Sequence, residues 1–204
     1  MAFPTTSVLD DFNRANTGPP PSGSWTTDQY AFGLPGLKVS SNTCIPNSAF
    51  AAGWWSASSF AADQEAYITV ATWVDEIEVH LRLQTPGTAG VDGYILNIIS
   101  STNHWRIYRM TNQATTLLTS GAITMSSGDS IGFEAIGTSL TAYQKIGAGS
   151  WGTLGSTTDA TYNTTGFIGL FANSASTVFD NFGGGAYIAP AATTRLLAAT
   201  GAGT

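Results

Sequence analysis

The run Glu76-Ile77-Glu78-Val79-His80-Leu81-Arg82 places two carboxylates, an imidazole and a guanidinium at alternate positions. Side chains at i, i+2 and i+4 of a strand share a face. Glu76, Glu78, His80 and Arg82 are therefore expected on one side, and Ile77, Val79, Leu81 and Leu83 on the other. Two carboxyls about 5–5.5 Å apart are what retaining glycoside hydrolysis needs, one as nucleophile and one as acid and base. The plainer reading is a solvated or groove-lining strand face. His80 and His104 are the only histidines. With scattered acids they make no zinc signature, which needs tighter ligand spacing. No G-x-S-x-G nucleophile elbow is present.

Sugar binding needs a flat aromatic ring beside convergent polar groups, because C–H faces stack on rings and hydroxyls need partners. Trp54, Trp55, Trp73, Trp105 and Trp151 are the candidates. Trp55 and Trp73 lie in apolar context and read as core. Trp151 follows Gly147-Ala148-Gly149-Ser150 and reads as an exposed loop residue. The segment His104-Trp105-Arg106, on a strand facing Glu76–Arg82, would line a concave groove. The candidate glycan-binding set is thus Trp151, Trp105, His104, Glu78, His80 and Arg82, with no catalytic residue assigned.

These residues need strands to hold them, and the chain supplies strand patterns throughout. Glu65–Trp73 and Glu76–Gln84 alternate with period two, and Asp92–Ser101 is apolar on both faces. His104–Met110, Thr115–Thr119, Gly128–Thr138 and Leu140–Gly147 follow as further strands. In Gly166–Asn173, apolar residues occupy both faces, as in a strand buried on both sides. Asn173–Ser176 supplies a turn into Thr177–Phe182, so the two read as a hairpin. Thr17–Ser24, with three prolines and two glycines, is a loop. Regular short strands separated by turn signals predict an all-β sandwich.

Three stretches resemble the concanavalin A-like lectin/glucanase jelly rolls, which include the laminin-G-like domains. They are Val8-Leu9-Asp10-Asp11-Phe12 with Trp25, the Gly128–Gly147 pair, and Gly166-Phe167-Ile168-Gly169-Leu170 leading to Asp180-Asn181-Phe182. The resemblance covers about residues 7–183 by motif order. It implies a two-sheet antiparallel jelly roll of residues 1–185, with both chain ends in one sheet. Residues 186–204, rich in Ala and Thr, then form a tail that acts as an assembly arm or frays. Laminarinase-like relatives carry E-x-D-x-x-E on one strand. Here the position of the second acid is His80 or Leu81, so the resemblance implies a non-catalytic chain; a laminarinase-like glycoside hydrolase or a secreted carbohydrate-binding module is the alternative. Many relatives hold a structural Ca²⁺ near the first and last strands. Asp180, with Asp10 or Asp11, matches those positions with the hard oxygens Ca²⁺ prefers. The other reading of Asp180 is a turn cap or a partner for Arg14.

Composition bounds the partners. The chain has 204 residues, 43% of them hydrophobic and 10% charged, against about 25% charged in an average domain. Net charge is −6 with only 7 Lys and Arg. That is too few for a basic patch, so nucleic-acid binding is not expected. The lone Cys44 has no internal disulfide partner and reads as a small buried hydrophobe. Met1-Ala2-Phe3-Pro4 lacks the charged and apolar regions of a signal peptide. No apolar run approaches the roughly 18 residues of a membrane span. Domains of this resemblance recur in bacteriophage virion proteins. The expectation is a virion-surface or extracellular decoration, fibre or tail protein whose lectin-like face binds a cell-surface glycan. Its expected partners are other virion proteins and itself, a trimer being attractive.

Overall fold

The computed structural model describes residues 3–189 as two packed antiparallel sheets without a helix. The first sheet orders β13 (Trp151–Thr158), β12 (Ser139–Lys145), β11 (Ser130–Ile136), β6 (Gln64–Thr72), β15 (Val178–Ala186), β4 (Thr43–Pro46) and β3 (Leu37–Ser40). Strand β1 (Val8–Asp10) also pairs with β15. The second sheet orders β10 (Ala114–Ala122), β9 (His104–Thr111), β8 (Asp92–Ile99), β7 (Glu76–Gln84), β14 (Phe167–Ala172), β5 (Ala51–Trp55) and β2 (Trp25–Thr27). This is the jelly roll, and its first and last strands meet as expected, with Val8 opposite Gly183 and Asp10 opposite Phe182. No helix among the described residues is long and apolar enough to cross a membrane.

Alternation builds the core. Ile77, Val79 and Leu81 of β7, Leu96 and Ile98 of β8, and Ile168 and Leu170 of β14 point inward from one sheet. Ile68 and Val70 of β6, Ile131 and Phe133 of β11, and Phe179 and Phe182 of β15 meet them from the other. Full burial of such a side chain contributes about 1.5–3 kcal/mol, so these rows fix the register of every strand that carries them. Cys44 is buried in this core, where desolvation pushes its thiol far above the ordinary value.

Three expectations change. The closing pair is not a hairpin: β14 pairs with β7 and β5, whereas β15 pairs with β6, β4 and β1 in the opposite sheet. The Asn173–Thr177 turn therefore carries the chain across the sandwich. Trp151 opens strand β13 rather than standing in a loop. The domain also runs past 185, since β15 ends at Ala186, Tyr187 N–H donates to Asp63 O (2.9 Å) and Ile188 N–H to Thr5 Oγ1 (3.1 Å). Most of the expected tail, residues 190–204, lies outside the described residues.

Candidate carbohydrate-binding cleft

With Ile77, Val79 and Leu81 turned into the core, Glu76, Glu78 and His80 face outward from the seven-stranded sheet. The row continues across the sheet by register: Ala52 and Phe171 on one side of Glu78, Asn97 and Arg106 on the other. Two connections close over it. The loop after β2 contributes Tyr30, Phe32 and Leu34, and the turn before β5 contributes Phe50. Asp28 shapes that loop, its Oδ1 accepting from Tyr30 N–H (3.2 Å) and its Oδ2 from Leu34 N–H (3.0 Å) and Gly33 N–H (2.5 Å). The result is a cleft of about 290 Å³ whose floor includes Glu76, Glu78, Ile95 and Met110. Tyr30, Phe32, Phe50 and Phe171 wall it, with Tyr30 stacked on Phe32 at 6.0 Å and edge-on to Phe171 at 6.3 Å.

The floor is a connected network. His80 is fully buried. Its Nδ1 bonds the Gln29 amide nitrogen at 2.8 Å, and its Nε2 bonds Glu78 Oε2 at 2.8 Å. Both ring nitrogens thus have partners. Tyr30 Oη donates to the same Glu78 oxygen at 2.9 Å. Asn97 Nδ2 donates to Glu78 Oε1 at 3.1 Å and also to Glu76 Oε1, bridging the two carboxylates. Two buried acceptors on this network, Asn97 Oδ1 and Gln29 Oε1, have no protein partner.

These contacts push the two carboxylates apart. Burial raises the Glu78 pKa, but its bonds to His80, Asn97 and Tyr30 outweigh burial and hold it below the usual range. Burial and then the neighbouring Glu78 charge push Glu76 up. Burial and Glu78 raise Tyr30 well above an ordinary phenol, which keeps it a donor. Divergent values in one carboxylate pair are the pattern of an acid and a base.

The structure brings Glu78 and His80 together and separates the rest of the expected set. Arg82 leaves the row because it adopts φ 52° at a bulge against β8, turning its side chain inward and moving Leu83 to the outer face. There it is fully buried, with Nε on Ala62 O (2.7 Å), Nη1 on Tyr162 O (3.1 Å) and Nη2 on Gly137 O (2.8 Å). Gly93 lies opposite because a Cβ would meet Leu81 O at 2.9 Å. Trp105 is a core residue, only 5% exposed, with its ring over Gly121 and Gly155. Trp151 lies on the outer face of the other sheet, edge-on to Phe3 at 4.9 Å with Lys145 5.7 Å above its ring. His104 is exposed at the end of β9, its ring bonded to Thr102 O. Sequence reasoning missed Tyr30, Gln29, Phe32, Phe50, Asn97 and Phe171. Only Asn97 left a signal, as a polar residue inside the apolar run of β8.

The calcium expectation meets a filled ligand. Asp10 accepts from Arg14 Nη1 (2.6 Å), Arg14 Nη2 (2.8 Å), Phe12 N–H (2.9 Å) and Trp25 Nε1 (2.9 Å). Both its oxygens are committed, and Arg14 pairs with Asp10 rather than Asp180. Asp11 and Asp180 each accept a nearby backbone N–H. Among the described residues no group of three His, Cys, Asp or Glu is placed to hold a metal. Asp10 as it stands does not fit as a calcium ligand, while Asp11 and Asp180 each keep an oxygen free of protein bonds, and burial and then the Asp11 charge raise the Asp180 pKa. The hollow beside them, about 650 Å³ and lined by Asp10, Asp11, Arg14, Trp55 and Asn181, is larger than the cleft. Its one buried carboxylate is the occupied Asp10.

No family model and no curated protein matches the sequence. Solved structures do match. The carbohydrate binding module CBM66 from Bacillus subtilis superposes with a TM-score of 0.58 at 17% identity over 78% of this chain and 93% of that one. The VIP36 exoplasmic/lumenal domain in its Ca²⁺/Man3GlcNAc-bound form gives 0.63 at 10% identity over 87% and 90%. The Bacillus licheniformis beta-glucanase gives 0.60 at 13% over 91% and 100%. At these identities the likeness is one of fold, and the chain has the jelly-roll fold that these three structures share.

Proposed function

We propose that this protein binds a glycan in the cleft over Glu76 and Glu78 and does not cleave it. The observation that carries this reading is one arrangement: paired acceptors on the floor and four aromatic rings on the walls, at the open face of a sheet. Phe32 and Phe50 are 66% and 56% exposed, so rings are held in water where a sugar face would cover them. The fold neighbours that bind carbohydrate support it by analogy of fold. A glycan array followed by calorimetry is the test. Phe32→Ala and Phe50→Ala, both at exposed positions, are each expected to weaken binding at least about tenfold, the scale of one lost stacking contact. An unresponsive array, or unchanged affinity in both variants, overturns the reading.

A hydrolase is the second reading, favoured by the divergent pKa values of Glu76 and Glu78. Against it stand the commitments on the strand. His80, at the third position, has both nitrogens engaged, and Glu78 Oε2 already accepts two bonds. Release of reducing sugar from a β-glucan that disappears in Glu78→Gln would replace the first reading with this one. A virion-surface placement rests on composition and resemblance; finding the protein in purified particles is its test.

A further inference from the structure

We infer that the glycan recognised in the cleft carries a free amine, as in glucosamine and its oligomers. This rests on the glycan-binding reading and specifies it. The floor holds an excess of acceptors over donors. Glu76 Oε2 makes no bond to the protein, Glu78 Oε1 accepts only from Asn97, and the buried Asn97 Oδ1 has no protein partner. Of the donors beside them, Asn97 Nδ2 bridges both carboxylates, Tyr30 Oη serves Glu78, and the Gln113 amide is turned to Tyr30 O at 2.8 Å, while the Thr115 hydroxyl and the Arg106 guanidinium bond neither carboxylate. Arg106 stands next to Asn97 in register, yet it takes part in none of the four ion pairs of the described residues.

What the floor lacks is a compact donor with positive charge. A sugar hydroxyl brings one donor and no charge. An ammonium brings three donors and a full charge, and suits a carboxylate pair. The walls agree, because ring faces such as Tyr30 and Phe171 attract a cation as well as sugar C–H groups. The chain's net charge of −6 adds long-range attraction for a cationic polymer. N-acetylation would remove both the charge and two of the donors.

Glu76 supplies a readout independent of affinity. Burial and the adjacent Glu78 charge raise its pKa. An ammonium beside it reverses the second effect, so binding at mildly acidic pH should release a proton from Glu76. Asp75, also near Glu76, works with Glu78, and Arg106 works against them.

The test uses the whole chain and three tetrasaccharides of similar size: a glucosamine oligomer, its N-acetylated form and a neutral β-glucan oligomer. Calorimetry is run at pH 5 to 6 in two buffers of different ionisation enthalpy. The glucosamine oligomer is expected to bind at least tenfold more tightly than either other ligand and alone to release protons. Its advantage should shrink in high salt and in Glu76→Gln, while the Glu76→Gln variant keeps the parental melting profile. Equal or tighter binding of a neutral oligomer overturns the amine inference and leaves the glycan reading intact. Binding of none of the three, with an unresponsive glycan array, overturns both.

Discussion

Arg82 separates two accounts of the same strand. Strict alternation would put its guanidinium in the cleft, whereas the bulge buries it against the Ala62, Tyr162 and Gly137 carbonyls. Those carbonyls belong to the approach to β6, the connection between β13 and β14, and the β11–β12 turn, so one side chain ties three connections together. Arg82→Met keeps most of the volume and deletes the donors. All three carbonyl residues are half-buried, so water reaches them partly. The lower end of the unsatisfied-acceptor cost applies, about 1 kcal/mol each. The Asp63 carboxylate, 3.9 Å away and 47% exposed, adds at most a few tenths to about 1 kcal/mol. Relief of the buried charge offsets part of this. The net expected loss is about 2–4 kcal/mol, or a fall in melting temperature of roughly 5–12 °C for a domain of this size. Urea unfolding followed by tryptophan fluorescence measures it, with glycan affinity measured in parallel. The expected result is lower stability with unchanged affinity at a temperature where the variant is folded. Parental stability with weakened binding would refute the buried assignment.

Asp10 gives a pH signature. Burial raises its pKa, but bonds from Arg14, Phe12 N–H and Trp25 hold it below the ordinary value. A depressed folded-state value means stability present above the unfolded pKa of about 3.9 and lost as pH falls through the lower folded one. Asp10→Asn should therefore be less stable at neutral pH and show a flatter loss below about pH 4; parallel acid limbs would contradict this. Gly155→Ala is expected to cost about 1–3 kcal/mol by overpacking, because a Cβ there would lie 2.5 Å from the buried Trp105 ring. The near-ultraviolet circular dichroism of Trp105 should change with it, and an unperturbed spectrum at parental stability would show that the ring can yield. A calcium chelator should leave the melting temperature unchanged, since Arg14 already fills Asp10; a chelator-sensitive melt would restore the calcium expectation.

The fold was legible where one face of a strand is buried, because burial imposes period two on the sequence. β7, from Glu76 to Gln84, coincides with its predicted range, and the β11–β12 hairpin forms as read. β13 escaped because it is an edge strand with only scattered partial burial, so Trp151-Gly152-Thr153 carries no alternation. The closing strands were read as a hairpin because a short turn between two apolar strands looks alike whether the strands pair or cross between sheets. The site was legible only along β7. Tyr30 and Phe50 lie 48 and 28 positions before Glu78 and arrive through loops, and such distances leave no periodic trace. Asn97 meets Glu78 by cross-strand register, which a single strand cannot reveal. Arg82 broke its own pattern through a backbone conformation that no side-chain alternation encodes.

His80 explains why this strand can bury its polar face. Its ring bonds Gln29 on one side and Glu78 on the other, so at a fully buried position both nitrogens have partners. His80→Glu would place a second carboxylate beside Glu78 with no cation within reach of either. Like charges and burial would raise the pKa of the introduced group. A carboxyl whose folded-state pKa lies above its unfolded value lowers stability wherever the unfolded chain ionises it, and the loss grows with pH until the folded-state value is passed. The variant should thus lie closest to the parent at acidic pH and furthest from it near neutrality. That is the reverse of the trend at Asp10, whose contribution disappears as the pH falls. Urea unfolding of His80→Glu at pH 4, 5.5 and 7 is the measurement. A stability difference from the parent that is constant across the three would mean that the introduced carboxylate finds water or a cation. The floor of the cleft would then be open rather than the closed hydrogen-bond network that keeps Glu78 ionised.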